Sequence, residues 1–266
     1  MHPTPVALAG GEFGIDVWSP ERVGEIVDAL RNLRVDLIVV ASYGKILQQA
    51  VLDIPPRGAF NVHPSLLPLY RGATPLQAQI RDRVAETGVT IIAMDAGMDT
   101  GDILLQERTP MSARETYGEL EARLAMLGAQ LLMRAIEMEE SGKLARTPQS
   151  QHASPEQIEA TLTRPLRNAD LQIDWRQSAS CVDAFVRSLS PQPAARGEVS
   201  GTPCKIVEVH PVVPDEARAP GTALRFGRGV AVACEEGAVA IDRLIPQNRS
   251  AMSGEAFAAS LFARPQ

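Results

Sequence analysis

The apolar positions along the first half of the chain switch repeatedly between two periods. Residues 36–41, Asp-Leu-Ile-Val-Val-Ala, form a nearly continuous apolar run, the pattern of a strand covered on both faces. Residues 59–62 repeat it in Ala-Phe-Asn-Val, and further strands are predicted at 88–94 and 102–108, with a shorter one at 14–18. Between them the period lengthens. Residues 20–33 place Val23, Ile26, Val27 and Leu30 on one helical face, and 115–141 carry Leu120, Leu124, Leu127, Leu131 and Ile136 along one side of a long helix. Shorter helices are expected at 45–52 and 74–84. Strands alternating with helices in this way predict an α/β, doubly wound, Rossmann-like sheet.

Beyond Lys143 the periodicity fails, and Ser, Thr, Gln and Pro dominate as far as Pro165. A helix is expected at 178–189, then short strands at 205–209, 222–226, 230–234 and 238–244 separated by Gly and Pro. Closely spaced short strands of this kind predict a small β-barrel. The expected organisation is therefore a catalytic domain over 1–146, a linker over 147–163 and a second domain over 164–266. That last domain is expected to be an open barrel of the oligonucleotide-binding type, which is OB-like.

Composition narrows the classes. A net charge of −6 argues against a surface that binds nucleic acid everywhere, while leaving room for a local basic patch. No apolar run approaches the roughly 18 residues of a membrane span, and the first residues lack a signal-peptide pattern. Cys181, Cys204 and Cys234 lie far apart without a CxxC pair, which suits structural thiols in a reducing cytoplasm. No metal-ligand spacing is present, no metal is expected, and no obligate protein partner is evident.

Two stretches carry the chemistry. In Asn61-Val62-His63-Pro64, a strand ends with two polar side chains two residues apart, hence on one face, where open α/β sheets bind their ligands. A histidine there is, by itself, more often structural than catalytic. The second stretch, Met94-Asp95-Ala96-Gly97-Met98-Asp99-Thr100-Gly101-Asp102, is a tight acidic loop between two strands, able to project a carboxylate into a cleft.

Together with Ser65-Leu66-Leu67-Pro68-Leu69-Tyr70-Arg71-Gly72 and Glu86-Thr87-Gly88-Val89-Thr90, these stretches make the chain resemble the 10-formyltetrahydrofolate-dependent formyltransferases. Among them it is most similar to the branch that formylates methionyl-initiator tRNA in translation initiation. The resemblance implies a catalytic trio of Asn61, His63 and Asp99. Asn61 and His63 would donate hydrogen bonds to the oxyanion of the formyl adduct, and Asp99 would orient and charge the imidazole. It implies further that 10-formyltetrahydrofolate is the formyl donor, held around Ser42, Tyr43, Gly44, Ile46 and Leu47, with Ser65, Ala93, Met94 and Asp95 also at its site. Initiator methionyl-tRNA would be the partner, gripped by the second domain.

The chain departs from the family pattern in two places. An opening strand, helix and second strand are expected to be missing before residue 1, which would leave the strand at 36–41 with an unpaired edge. Ser190-Pro191-Gln192-Pro193 and Gln247-Asn248-Arg249-Ser250 also differ from the family's usual turns. The alternatives are a sugar-nucleotide N-formyltransferase and a catalytically dead, truncated remnant.

Overall fold

A computed structural model describes residues 4–45, 47–216 and 218–262. The first domain is built on a four-stranded sheet in the order β1 (Ile38–Ala41), β2 (Ala59–His63), β3 (Glu86–Ala93) and β4 (Ile103–Pro110). Only β1 and β2 are parallel; β2–β3 and β3–β4 are antiparallel. The last pair follows from chain length, because the connection from Ala93 to Ile103 is too short for the crossover that parallel strands require.

The long helix forms as its spacing predicts. α5 (Tyr117–Glu140) is opened by a capping box in which the Thr116 hydroxyl and the Glu119 carboxylate satisfy each other's backbone N–H groups. Its buried Leu120, Leu124 and Leu131 pack with Phe60, Val89, Ile91 and Leu104 of the sheet into one core. The other helices of this domain are short: α2 (Val27–Leu33), α3 (Gln49–Leu52) and α4 (Pro75–Arg81). The helix expected over 20–33 is split, with a 3₁₀ turn at Val23–Ile26 leading into α2, which stops where Arg34 takes a φ of 51°. Val23, Val27 and Leu30 pack as anticipated, against Val40, Leu47, Val51, Leu52 and Ala59.

The strand expected at 14–18 is absent. An unforeseen helix, α1 (Pro5–Glu12), precedes those residues and buries none of its own. No neighbouring strand among the described residues offers 14–18 a ladder, and a strand without a ladder has no backbone partners. β1 is the sheet's edge in this region, with Val39 half-exposed.

The segment expected to be a linker forms short helices. It contains a 3₁₀ turn at Gln149–Gln151 and α6 (Pro155–Ala160), which has its own Ser154–Gln157 capping box. The second domain then opens with a 3₁₀ turn at Asn168–Leu171, followed by α7 (Ala179–Ser188) and an antiparallel sheet of β5 (Ala195–Val199), β6 (Thr202–Val212), β7 (Ala223–Phe226), β8 (Gly229–Ala233), β9 (Ala238–Pro246) and β10 (Met252–Ser253). The path runs β5-β6-β9-β8-β7 with β10 on β9, and α8 (Gly254–Phe262) follows. Register shifts in β6 around Glu208 mark bulges, which bend a strand. Among the described residues β5 and β7 do not pair, so the sheet is open. β5, β10 and α8 carried no clear periodic signal.

The two domains meet through α4 and α7. Arg81 donates to the Ser188 hydroxyl at 3.0 Å and lies 4.6 Å over the Phe185 ring. Arg187 donates to the Glu115 carbonyl at 3.0 Å.

Candidate active site

β2 sets the site. Asn61 and His63 stand on one face of this strand, opposite Ile92 and Thr90 of β3. The chain then breaks at Pro64 into a turn that spends its polar groups on itself. The Ser65 hydroxyl donates to the Leu69 carbonyl at 2.7 Å, and the Thr90 hydroxyl donates to the Ser65 carbonyl at 2.7 Å while accepting from Leu67 N–H at 3.1 Å. Ser65 is buried, its hydroxyl closes the turn, and it is not among the residues that line the cleft.

The turn ends at Tyr70 and Gly72, both with left-handed backbone, φ 59° and 107°. Gly72 is required there. A Cβ would lie 2.1 Å from the Thr163 carbonyl oxygen, which no shift of a flexible side chain relieves.

The acidic loop reaches the same place by an excursion. It leaves the sheet beside Ala59, where Met94 N–H donates to the Ala59 carbonyl at 2.8 Å, and is closed by Ala93 N–H on the Asp102 carbonyl at 2.9 Å. Gly101 permits that closure, since a Cβ would fall 1.7 Å from the Ala93 carbonyl oxygen. Ala93 is buried at this neck, and its neighbours Met94 and Asp95 line the cleft. Asp95 braces the loop from inside by accepting from Gly97 N–H at 2.9 Å and from the Thr100 hydroxyl at 2.6 Å.

At the tip stands Asp99, itself left-handed at φ 55°. One carboxylate oxygen accepts from the Asn61 amide at 3.2 Å. The other accepts from Gly72 N–H at 2.8 Å and lies 3.6 Å from His63 Nδ1. The three side chains expected to carry the chemistry are thus in one cluster.

His63 is 3% exposed, and its Nε2 lies 2.9 Å from the Tyr70 carbonyl. A carbonyl only accepts, so Nε2 carries hydrogen and Nδ1 is the nitrogen free to change state. Burial lowers the imidazole pKa below 6.5; the Asp99 carboxylate and the Tyr70 carbonyl pull it back up, and nearby Arg71 lowers it. Burial is the largest of these effects, so the surroundings favour the neutral ring, in which Nδ1 carries the lone pair.

The cluster opens on a cleft of about 430 Å³, a size suited to a small-molecule ligand. Ser42, Tyr43, Gly44 and Leu47 line it, as do Met94 and Asp95. Ile46 lies outside the described residues. Lys45, Gln77, Tyr117 and Glu121 also line it; the last two sit one turn apart on α5, and the Tyr117 hydroxyl donates to the Glu121 carboxylate. Periodicity had marked α5 only as a packing helix. A wider depression of about 690 Å³, bordered by Arg34, Asp36 and Asp53, lies at the opposite end of β1, away from this chemistry. Among the described residues no group of three His, Cys, Asp or Glu could hold a metal ion. No described helix is long and apolar enough to cross a membrane. Cys181, Cys204 and Cys234 are free, and burial pushes the Cys204 and Cys234 thiols up to about 11.

Comparison with known proteins gives this geometry a setting. Residues 16–136 match the formyl transferase family and residues 165–261 match the formyl transferase C-terminal domain. A methionyl-tRNA formyltransferase of Xylella fastidiosa strain M23 is 41% identical over 92% of this chain and 79% of its own length. One from Solibacter usitatus is 40% identical over 96% of this chain and 80% of its own. The fold is shared with HypX from Aquifex aeolicus in complex with tetrahydrofolic acid (TM-score 0.69, 20% identity), the match covering 92% of this chain and 42% of that one. It is also shared with a Helicobacter canadensis N-formyltransferase (TM-score 0.60, 18% identity, 86% of this chain and 84% of that one). The chain belongs to the formyl transferase family, and both the family's N-terminal and C-terminal domains are present in it.

Proposed function

We propose that this protein transfers the formyl group of 10-formyltetrahydrofolate to the α-amino group of methionyl-initiator tRNA. The observation that carries the reading is the Asn61–Asp99–His63 cluster at the mouth of a cleft sized for a small ligand. The relatives of about 40% identity support the acceptor. So does the Met94–Gly101 run, which favours the tRNA branch over the sugar-nucleotide one.

The reaction needs three services. The methionyl nitrogen attacks the formyl carbon on N10, and the carbonyl electron pair moves onto oxygen. One N–H of the Asn61 amide is used on Asp99, which leaves the second to donate to that oxyanion. Such a donor contributes about 10²–10³ in rate. The attacking nitrogen must then lose a proton. Neutral His63 accepts it at Nδ1, and Asp99 beside that atom stabilises the imidazolium as it forms. The same proton passes to N10 as the carbon–N10 bond breaks and the carbonyl re-forms. His63 thus acts as a proton carrier, a different task from the oxyanion donor anticipated for it.

The pterin would lie along residues 42–47 and Met94–Asp95, whose backbone groups can meet its donor and acceptor edge. The second domain would hold the tRNA, and a cytoplasmic setting follows from that partner. The direct test supplies charged initiator tRNA and 10-formyltetrahydrofolate and measures N-formylmethionine by mass. Product made by the parent chain and lost in His63→Asn supports the reading. Formylation of an amino-sugar nucleotide in its place would overturn it.

A further inference from the structure

Gln149 lies in the segment between the domains and is 4% exposed. Its carboxamide oxygen accepts from Arg71 Nε at 3.0 Å and from Arg71 Nη2 at 2.7 Å. Its nitrogen donates to the Asp99 carbonyl at 2.8 Å and to the Gly101 carbonyl at 2.7 Å. An amide offers two hydrogens and two lone pairs, and here all four are engaged. Each contact falls on a residue that shapes the site. Arg71 precedes the Gly72 N–H that holds Asp99, and the two carbonyls flank the tip of the acidic loop.

The same segment grips the site at a second place. The Thr163 N–H and hydroxyl both donate to the Arg71 carbonyl at 2.9 Å, and the Thr163 hydroxyl oxygen accepts from Thr74 N–H at 3.1 Å. Tyr70 N–H donates to the Thr161 hydroxyl at 3.1 Å. Asp99 has a left-handed backbone that a non-glycine residue keeps only when its surroundings enforce it. Its side chain makes two of the bonds that do so; its main chain is tied by Gln149.

We infer that Gln149 is a positioning residue for the reaction: it sets the Asp99 carboxylate against His63 Nδ1 by clamping the loop tip to Arg71. The connecting segment is then part of the active-site architecture. A tether would need no buried amide with every hydrogen-bonding position filled.

The kinetic part of the test rests on the formyl-transfer reading, so a second readout does not use turnover. Gln149→Met keeps the length without the amide; Gln149→Asn keeps the amide one methylene short. Both are neutral. In each, kcat for methionyl-tRNA formylation is expected to fall about 10–100-fold, as for a misplaced catalytic group, with KM for the tRNA within about twofold. The His63 imidazole is titrated in parallel by NMR in the full chain. The charged groups near it are Asp99 and Arg71, and Asp99 acts more strongly, so loosening the clamp moves the His63 midpoint down. An unmoved midpoint in folded Gln149→Met overturns the inference, whatever the activity. Should that variant fail to fold, the same outcome in Gln149→Asn overturns it. A lowered midpoint in the variants, beside a parent chain that itself formylates no tRNA, upholds the positioning and removes the formyl-transfer reading.

Discussion

The two walls of the cleft are built differently. On the reacting wall every group is tied down: Asp99 by Asn61, Gly72 and Gln149, His63 by the Tyr70 carbonyl, and the turn after His63 by Ser65 and Thr90. The wall formed by Ser42, Tyr43, Gly44, Lys45 and Leu47 has fewer such ties. Tyr43 is 44% exposed, and Lys45 reaches the Glu21 carbonyl across the surface. Among the described residues of this wall, Leu47 is the one that packs in the core, with Val51 and Leu52. Groups that handle protons and charge lose rate steeply when misplaced, whereas a wall that holds a flat ring needs mainly shape. Changes to the first wall should therefore act on kcat, and changes to the second on KM.

The largest effect is expected from the reacting groups. Asp99→Asn keeps the shape and a partner for Gly72 N–H but removes the charge that stabilises the imidazolium. It should lower kcat by about 10³-fold or more, with the folate KM little changed, in steady-state formylation. Retention of a tenth of the parent kcat would contradict the role given to the carboxylate.

Gly72→Ala comes next. The new methyl meets the Thr163 carbonyl at 2.1 Å in a backbone with φ 107°. A loss of about 2–4 kcal/mol in denaturant unfolding is expected, together with a fall in kcat. A smaller loss would mean that the contact between the turn and the connecting segment yields easily.

A pH profile separates the walls more gently. Burial holds the His63 pKa below 6.5, so the base form persists at neutral pH and kcat should decline only on acidification below 6.5. Stability moves in the same direction. A histidine whose folded pKa lies below its unfolded value binds fewer protons when folded, so stability falls as pH drops below the unfolded value. The acid limb should vanish from the residual rate of His63→Asn; an unchanged limb would assign it to another group.

The smallest effect belongs to the open wall. Tyr43→Ala should raise the KM for 10-formyltetrahydrofolate several-fold. Unfolding stability should stay within about 0.5 kcal/mol, as is usual for exposed positions. A kcat loss as large as that from Gly72→Ala would erase the difference between the walls.

Much of the reacting wall was legible in the sequence. The apolar strand 59–62 fixed the face of Asn61 and His63, and the Gly-spaced acids of 94–102 marked the loop that brings Asp99 to them. Strand direction was less legible, because alternating α and β periods suggest parallel pairing and only the short Ala93–Ile103 connection speaks against it. Ser65 was placed at the folate site by the family resemblance alone, and no local pattern reveals that its hydroxyl closes a turn onto the Leu69 carbonyl. Gln149 gave no signal at all. It sits in an aperiodic Pro-Gln-Ser stretch, and its partners lie about fifty to eighty positions earlier, a distance at which local pattern carries nothing.

The most direct test of the account is a competition assay. The purified chain receives 10-formyltetrahydrofolate with equal concentrations of methionyl-initiator tRNA and an amino-sugar nucleotide, and both products are measured by mass. The expected result is formylated methionyl-tRNA alone, reduced at least about 10³-fold in Asp99→Asn. Formylated sugar as the main product, or equal tRNA formylation by the parent and Asp99→Asn chains, would contradict it.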